Sequence, residues 1–251
     1  CNLRCIYCMT EGDHLTKLQH EDLLSYEELL RVVRVAVAMG ISKLRLTGGE
    51  PFVRRGIMGF IEQLGAIEQL RDIRITTNGV LLEKYAQQLL AAGVHKVNIS
   101  LDTLQRERFA QITGKDCFDQ VWRGIEKAQD VGFAPVKVNT VVMRGINDDE
   151  LAAFAQLSQD RALQIRFIEF MPIGTSSRWS KKNYMSSDEI MERIRALGPL
   201  LPVPRAKADG PAVMFRFGEE AKGQLGFISP VSHHFCDRCN RLRLTSEGRL
   251  R

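Results

Sequence analysis

The chain has 251 residues, 44% hydrophobic and 26% charged, and its 35 basic and 30 acidic side chains give a net charge of +5. This balance suits a folded globular protein, one large α/β unit or two smaller domains, and excludes a disordered or fibrous chain. No apolar run reaches the ~18 residues of a membrane helix, and no basic-then-apolar leader precedes Cys1, so no membrane partner is expected.

In chain order, Ser25-x-x-Glu28 predicts a capping box. It opens a helix through Leu29, Leu30, Val33 and Val37 that Gly40 closes. A strand follows at residues 43–46, with further strands expected at 73–76, 97–101, 136–142 and 164–168. The segments between them carry the helical period; Phe118, Val121, Trp122, Ile125 and Ala128 share one face before Gly132. Asn147-x-x-Glu150 starts another helix. This alternation predicts a parallel sheet with helical crossovers, doubly wound or barrel-like. Beyond it, residues 171–183 read as a loop, 187–197 as a helix and 199–211 as a proline-rich connection. Residues 213–217 and 224–228 read as an antiparallel pair.

The cysteines are grouped rather than spread: Cys1-x-x-x-Cys5-x-x-Cys8 at one end, Cys236-x-x-Cys239 near the other, and Cys117 alone. Such grouping points to metal binding in a reducing, cytoplasmic compartment and away from a disulfide framework. Three thiolates on a four-iron cubane would leave one iron open to a small-molecule ligand, the mark of a reactive cluster. Cys117 reads as a half-buried structural thiol. Residues 236–251 carry five arginines against two acids, which favours an anionic ligand beside the second pair. No platform of aromatic and basic residues accompanies the arginines, so nucleic acid is not expected.

Polar residues gather at the carboxyl ends of the expected strands: Thr47-Gly48-Gly49-Glu50-Pro51, Thr76-Thr77-Asn78-Gly79, Ser100-Leu101-Asp102 and Glu169-Phe170-Met171-Pro172. In a parallel α/β fold these ends open on one face, where ligands bind. Gly48 and Gly49 would allow close backbone approach, and the Glu50 carboxylate can accept from an ammonium.

With the three-cysteine motif and Gly48-Gly49-Glu50-Pro51 together, the chain resembles the radical S-adenosylmethionine (SAM) enzymes. Asn98-Ile99-Ser100-Leu101-Asp102, Lys137-Val138-Asn139-Thr140, Arg166-Phe167-Ile168-Glu169-Phe170-Met171 and Phe235-Cys236-x-x-Cys239-Asn240-Arg241-Leu242-Arg243 narrow it. From Cys1 to Arg251 it is similar to the GTP 3′,8-cyclase family of molybdenum cofactor biosynthesis. The resemblance implies a partial (β/α)6 TIM-type barrel over residues 1–170 and a C-terminal extension over 171–251 with a second Fe–S site. Cys1, Cys5 and Cys8 would hold one [4Fe–4S] cluster whose open iron chelates SAM. Cys236 and Cys239 would hold the second, with a third cysteine that the family's spacing puts just past Arg251. The family's segments before Cys1 and after Arg251 are likewise expected outside this sequence. By position, Tyr7, Gly48, Gly49, Ser100 and Met171 would contact SAM, and Glu50 would meet its methionine ammonium. Arg45, Thr76, Lys137, Arg166, Arg241, Leu242 and Arg243 would hold GTP. The implied partners are GTP, an electron donor, cyclic pyranopterin monophosphate synthase downstream and a second copy of the chain in a homodimer.

Other readings stand beside this one. Lys137 and Arg166 could be strand-end salt bridges, and Lys43 would face solvent. A radical SAM peptide maturase with an auxiliary cluster is one alternative, although such proteins usually carry more than three cysteines in the C-terminal domain. A zinc-stabilised module is the alternative from another class, though zinc wants four ligands and the cysteines split three and two.

Overall fold

Alternate residues of β2 (Asp72–Thr77) are buried, and the same two-residue period marks β4 (Val136–Val142). That period gives a strand one apolar face and one polar face. The structure is a computed structural model that describes residues 1–8, 20–172, 179–204, 210–234 and 241–251. Helix α1 (Tyr26–Ala38) leads into β1 (Lys43–Leu46), α2 (Ile57–Gly65) into β2, and α3 (Leu82–Ala91) into β3 (Val94–Ser100). Helices α4 (Arg106–Thr113) and α5 (Phe118–Asp130) lead into β4, and α6 (Leu151–Asp160) into β5 (Leu163–Glu169). Then come α7 (Ser187–Arg195), β6 (Leu200–Pro202), β7 (Val213–Phe217) and β8 (Gln224–Ile228).

The eight strands form one sheet in the order β1-β2-β3-β4-β5-β8-β7-β6. Strands β1 to β5 and β8 run parallel, and β7 and β6 extend the sheet antiparallel. Six parallel strands with helical crossovers make the partial barrel. Ile73, Ile75, Val97, Ile99, Val136, Val138 and Ile165 turn to the helices and are buried there with Leu82, Leu89, Val121 and Ile125. Burial of each such aliphatic contributes about 2 kcal/mol. The opposite, inner face carries Arg45, Arg74, Thr76, Lys96, Asn98, Lys137, Asn139 and Arg166.

Expected and observed elements agree along the parallel sheet: 43–46 and 136–142 match at both ends, and the other strands shift by one to three residues. Ser25 and Glu28 form both bonds of the capping box. One expectation needs correction, and two that hold gain detail. Residues 199–211 are not all connection, because Leu200–Pro202 pairs antiparallel with β7 through backbone bonds that the prolines obscured in the sequence. The pair at 213–217 and 224–228 is antiparallel as expected, but β8 also runs parallel beside β5 as the sixth barrel strand. A short 3-10 turn, Asp148–Glu150, precedes α6, yet Asn147 and Glu150 form no capping box. Asn147 instead accepts from Met143 N–H at 2.8 Å and donates to Asp102 O at 2.7 Å. Glu150 accepts from Leu104 N–H at 2.6 Å, so both side chains brace the loop after β3.

Candidate active site

The three-cysteine segment is pinned before it turns. Arg4 N–H donates to Thr113 O at 2.8 Å and Ile6 N–H to Ile112 O at 2.9 Å, which lays the segment along the end of α4. Cys8 N–H then bonds Cys5 O at 3.0 Å and closes a turn. All three thiols are free; Cys1 and Cys8 are exposed and Cys5 is half-buried.

Gly49 explains how close this segment comes to the sheet. A Cβ at Gly49 would stand 2.9 Å from the nitrogen and 2.9 Å from the Cβ of Cys1, so only glycine fits. Glu50, buried after β1, accepts from Phe52 N–H at 3.2 Å and Thr77 Oγ1–H at 2.9 Å through Oε1, and from Asn78 N–H at 2.7 Å through Oε2. Burial pushes its carboxyl up, and those three bonds oppose the shift. The carboxylate thus ties the turns after β1 and β2 together and keeps acceptor capacity on Oε2. Asn78 Nδ2 completes the link by donating to Asn2 Oδ1 at 2.7 Å, with Cys1 Sγ 3.9 Å away.

On the other side the Tyr7 hydroxyl is hydrogen-bonded to Asp102 and Cys5. Asp102 Oδ1 also accepts from Val141 N–H at 2.8 Å. Burial raises the Asp102 carboxyl to about 6 against the Val141 and Tyr7 bonds. Burial and the neighbouring Asp102 push the Cys5 thiol up to about 12. Asp102 had no assigned role in the sequence, although its place at a strand end was visible.

Below this mouth the inner face is cationic. Arg45, Arg74 and Lys96 stand side by side in register across β1, β2 and β3. Lys137 pairs in register with Asn98, and Arg166 with Asn139. Burial, then Arg166, Arg74, Lys96 and Arg45, bring Lys137 down to about 8. Burial, then Arg45 and Arg74, bring Arg166 down to about 10. Among the described residues no acid opposes either shift, so neither is a salt bridge; Arg166 donates instead to Asn98 Oδ1 at 3.0 Å. Gly226, opposite Arg166 on β8, leaves room for it, since a Cβ there would lie 3.2 Å from Arg166 Cγ. The charge of Arg241, itself an exposed residue, also lowers the Arg45 pKa, after burial and Arg74.

Asn139 also faces this space, in register with Ser100, and its Oδ1 is buried without a donor among the described residues. An orphaned buried acceptor there fits a ligand hydroxyl. In the sequence Asn139 stands within Lys137-Val138-Asn139-Thr140, with nothing local to mark it as a ligand contact.

Other expected site residues lie open to solvent. Met171 is 36% exposed and Leu242 is 70% exposed. Arg243 pairs through its backbone with Arg251 in a terminal hairpin, and Lys43 is exposed. Glu169 ends β5 but turns elsewhere: its carboxylate accepts from Ser187 N–H at 2.7 Å, Val231 N–H at 2.8 Å, Ser232 N–H at 3.0 Å and the Ser232 hydroxyl. Cys236 and Cys239 lie outside the described residues. Among the described residues no three His, Cys, Asp or Glu side chains converge on a single-ion site. Three thiols on one loop fall short of the four ligands a structural zinc takes and match the count that leaves one iron of a cubane open.

Comparison with known proteins gives this site its class. Residues 1–158 match the radical SAM superfamily and residues 163–251 match molybdenum cofactor synthesis C. Streptococcus suis SuiB bound to S-adenosylmethionine shares the fold with a TM-score of 0.59 at 20% identity, over 78% of this chain and 45% of that one. Native anSMEcpe with bound AdoMet aligns at a TM-score of 0.57 and 19% identity, over 78% of this chain and 56% of that one. A protein of Thermodesulfovibrio yellowstonii named GTP 3′,8-cyclase is 54% identical over 100% of this chain and 77% of its own length. One of the same name from Moorella thermoacetica is 48% identical over the same shares. Fold and site define a radical SAM enzyme, for which the family implies a [4Fe–4S] cluster and SAM. Within that superfamily the chain belongs to the GTP 3′,8-cyclase family. No helix among the described residues is long and apolar enough to cross a membrane.

Proposed function

We propose that this chain converts GTP to (8S)-3′,8-cyclo-7,8-dihydro-GTP, the first step of molybdenum cofactor synthesis. The observation that carries the reading is a pinned three-cysteine loop, packed against Gly49 at the end of β1, beside a strand face that gathers Arg45, Arg74, Lys96, Lys137 and Arg166. The reaction moves the ribose C3′ hydrogen into 5′-deoxyadenosine, joins C3′ to guanine C8 and adds one electron, from the electron donor, and one proton at N7, so product and substrate are isomers. Cys1, Cys5 and Cys8 would hold a cluster that, with SAM, would supply the one-electron route to hydrogen abstraction.

The chain's own residues bind, orient and exclude water. Gly48, Gly49, Ser100 and Met171 would border SAM, with the Glu50 Oε2 face toward its ammonium. The Tyr7 hydroxyl is committed to Asp102 and Cys5, so contact with SAM would fall to its ring and backbone. Asn139 Oδ1 would accept from a ligand hydroxyl. Arg45, Lys137, Arg166 and Arg241, with Thr76, would neutralise the triphosphate in a setting where desolvation strengthens each contact. Arg243 and Leu242 follow Arg241 in the same segment. Cys236, Cys239 and a further cysteine outside the sequence would hold a second [4Fe–4S] cluster. A cytoplasmic location, a homodimer, an electron donor and cyclic pyranopterin monophosphate synthase as the next enzyme complete the proposal.

A peptide maturase would need a groove for a chain, whereas this lumen concentrates positive charge. The likeness to SuiB is one of fold alone. Anaerobic incubation of the reconstituted protein with GTP, SAM and reductant tests the reading. A product isomeric with GTP, of unchanged mass and new chromatographic position, is expected. GTP recovered intact while SAM is consumed would refute it.

A further inference from the structure

Two inner-face cations have no place in the assignment above. Arg74 Nε donates to Asp72 Oδ1 at 2.9 Å, and its Nη2 bonds Asp72 Oδ2. Lys96 Nζ reaches the same Oδ2 at 3.2 Å. The Arg74 and Asp72 side chains are 14% and 13% exposed, so the pair sits in the lumen wall and not on the outer surface.

One carboxylate serves two cations here, and a third, Arg45, stands in register beside Arg74. The charge of Arg74 reaches Arg45, Lys137 and Arg166 alike. If Arg74 and Asp72 were only a structural ion pair, the pair would be neutral and Lys96 would stand outside it. Instead the positive charge exceeds the negative around a partly buried carboxylate, since Lys96 is 35% exposed and Arg45 is exposed while Arg74 and Asp72 are mostly covered; an anion offsets that excess charge. The bond to Asp72 also holds the guanidinium in place, leaving less side-chain entropy to lose when a ligand arrives.

We propose that Arg74 and Lys96, held by Asp72, read the phosphate chain of the nucleotide, so that this chain selects by phosphate number and not by base alone. The proposal rests on the GTP reading and deepens it. Arg74 and Lys96 lie toward the start of their strands, one step further from the cysteine loop than Thr76 and Asn98, their neighbours at i+2. They therefore meet the part of the ligand most distant from the reacting ribose: the outer phosphates.

The test is equilibrium binding of GTP, GDP, GMP and guanosine to the whole reconstituted protein and its variants. Arg74→Met and Lys96→Met should each weaken GTP about tenfold, weaken GMP much less and leave guanosine unchanged. Arg74→Met leaves Asp72 half-partnered, so the double variant Asp72→Asn with Arg74→Met removes both charges and guards against misfolding. It should show the same loss of preference for GTP over GMP. Arg74→Lys should restore part of that preference. Arg123→Met, which breaks an exposed pair with Glu83, serves as the control and should move nothing. An equal loss across all four ligands, or no loss for GTP, would overturn the proposal while leaving the GTP reading intact. Wild-type protein that bound guanosine and GTP equally, or neither, would remove both.

Discussion

The Cβ that Gly49 lacks would fall 2.9 Å from both the backbone nitrogen and the Cβ of Cys1. The glycine after β1 is therefore part of how the first cysteine is positioned. Gly49→Ala must displace Cys1, since the clash includes backbone. After anaerobic reconstitution it should hold less than about half the first-site iron of the wild type. Gly59→Ala is the contrast: nothing lies within 4 Å of a Cβ there. It sits inside α2 and should be neutral or stabilising by about 0.5–1 kcal/mol. Iron analysis and urea unfolding of the two variants check both statements.

Glu50 is expected to matter before any cofactor binds. Glu50→Ala strands the Thr77 hydroxyl and the Asn78 and Phe52 amides, all bonded to it now. Unmet buried donors of this kind cost about 1–3 kcal/mol each, partly relieved by water. Urea unfolding of the cluster-free chain under reductant should show a loss of about 3 kcal/mol. Wild-type stability in that variant would mean that the carboxylate serves the ligand alone.

Much of this was legible in the sequence because local rules governed it. The capping box at Ser25 and Glu28, the strand at 136–142 and the strand-end polar segments follow from periodicity and cap chemistry. Cysteine spacing marked the loop, and the resemblance supplied most of the cationic face. Non-local partners were not legible. Glu169 looked like a member of the same pocket, yet its bonds run to Ser187, Val231 and Ser232 across the fold. Asp102 and Asn139 acquire meaning only once β3 and β4 lie side by side. Arg74 was hidden because two-residue alternation marks a polar strand face without saying that the face lines a lumen. The strand Leu200–Pro202 was lost to its proline, which an edge position tolerates.

Lys137 sets a pH dependence on substrate binding. Burial and then the surrounding cations bring its pKa down to about 8 in the ligand-free chain. A bound polyphosphate raises that pKa again, so binding takes up a proton above about pH 8. Affinity for GTP should be flat below that point and fall by up to about tenfold per pH unit above it. Lys137→Met should bind more weakly and lose this slope. Titration calorimetry across the range gives both readings.

Asp72 sets the acid limb of stability. Arg74 beside it, with Lys96, holds its carboxyl at about 2, below its ordinary 3.8, with burial opposing. A lowered carboxyl pKa contributes stability above its unfolded value and loses it as pH falls through the folded one. The contribution, about 2 kcal/mol at neutral pH, should therefore vanish between about pH 4 and pH 2. Asp72→Asn should be less stable near neutrality and show a shallower decline over that window. Urea midpoints measured at several acid pH values check the difference in slope.

The central claim, that the cysteine loop and cationic lumen serve one reaction on GTP, meets its most direct test in isotope transfer. The whole protein would be reconstituted anaerobically and given SAM, reductant and GTP deuterated at C3′, and the 5′-deoxyadenosine analysed by mass spectrometry. The account predicts 5′-deoxyadenosine that forms only when GTP is present and carries deuterium. 5′-Deoxyadenosine that forms equally without GTP, and stays unlabelled when GTP is added, would contradict it.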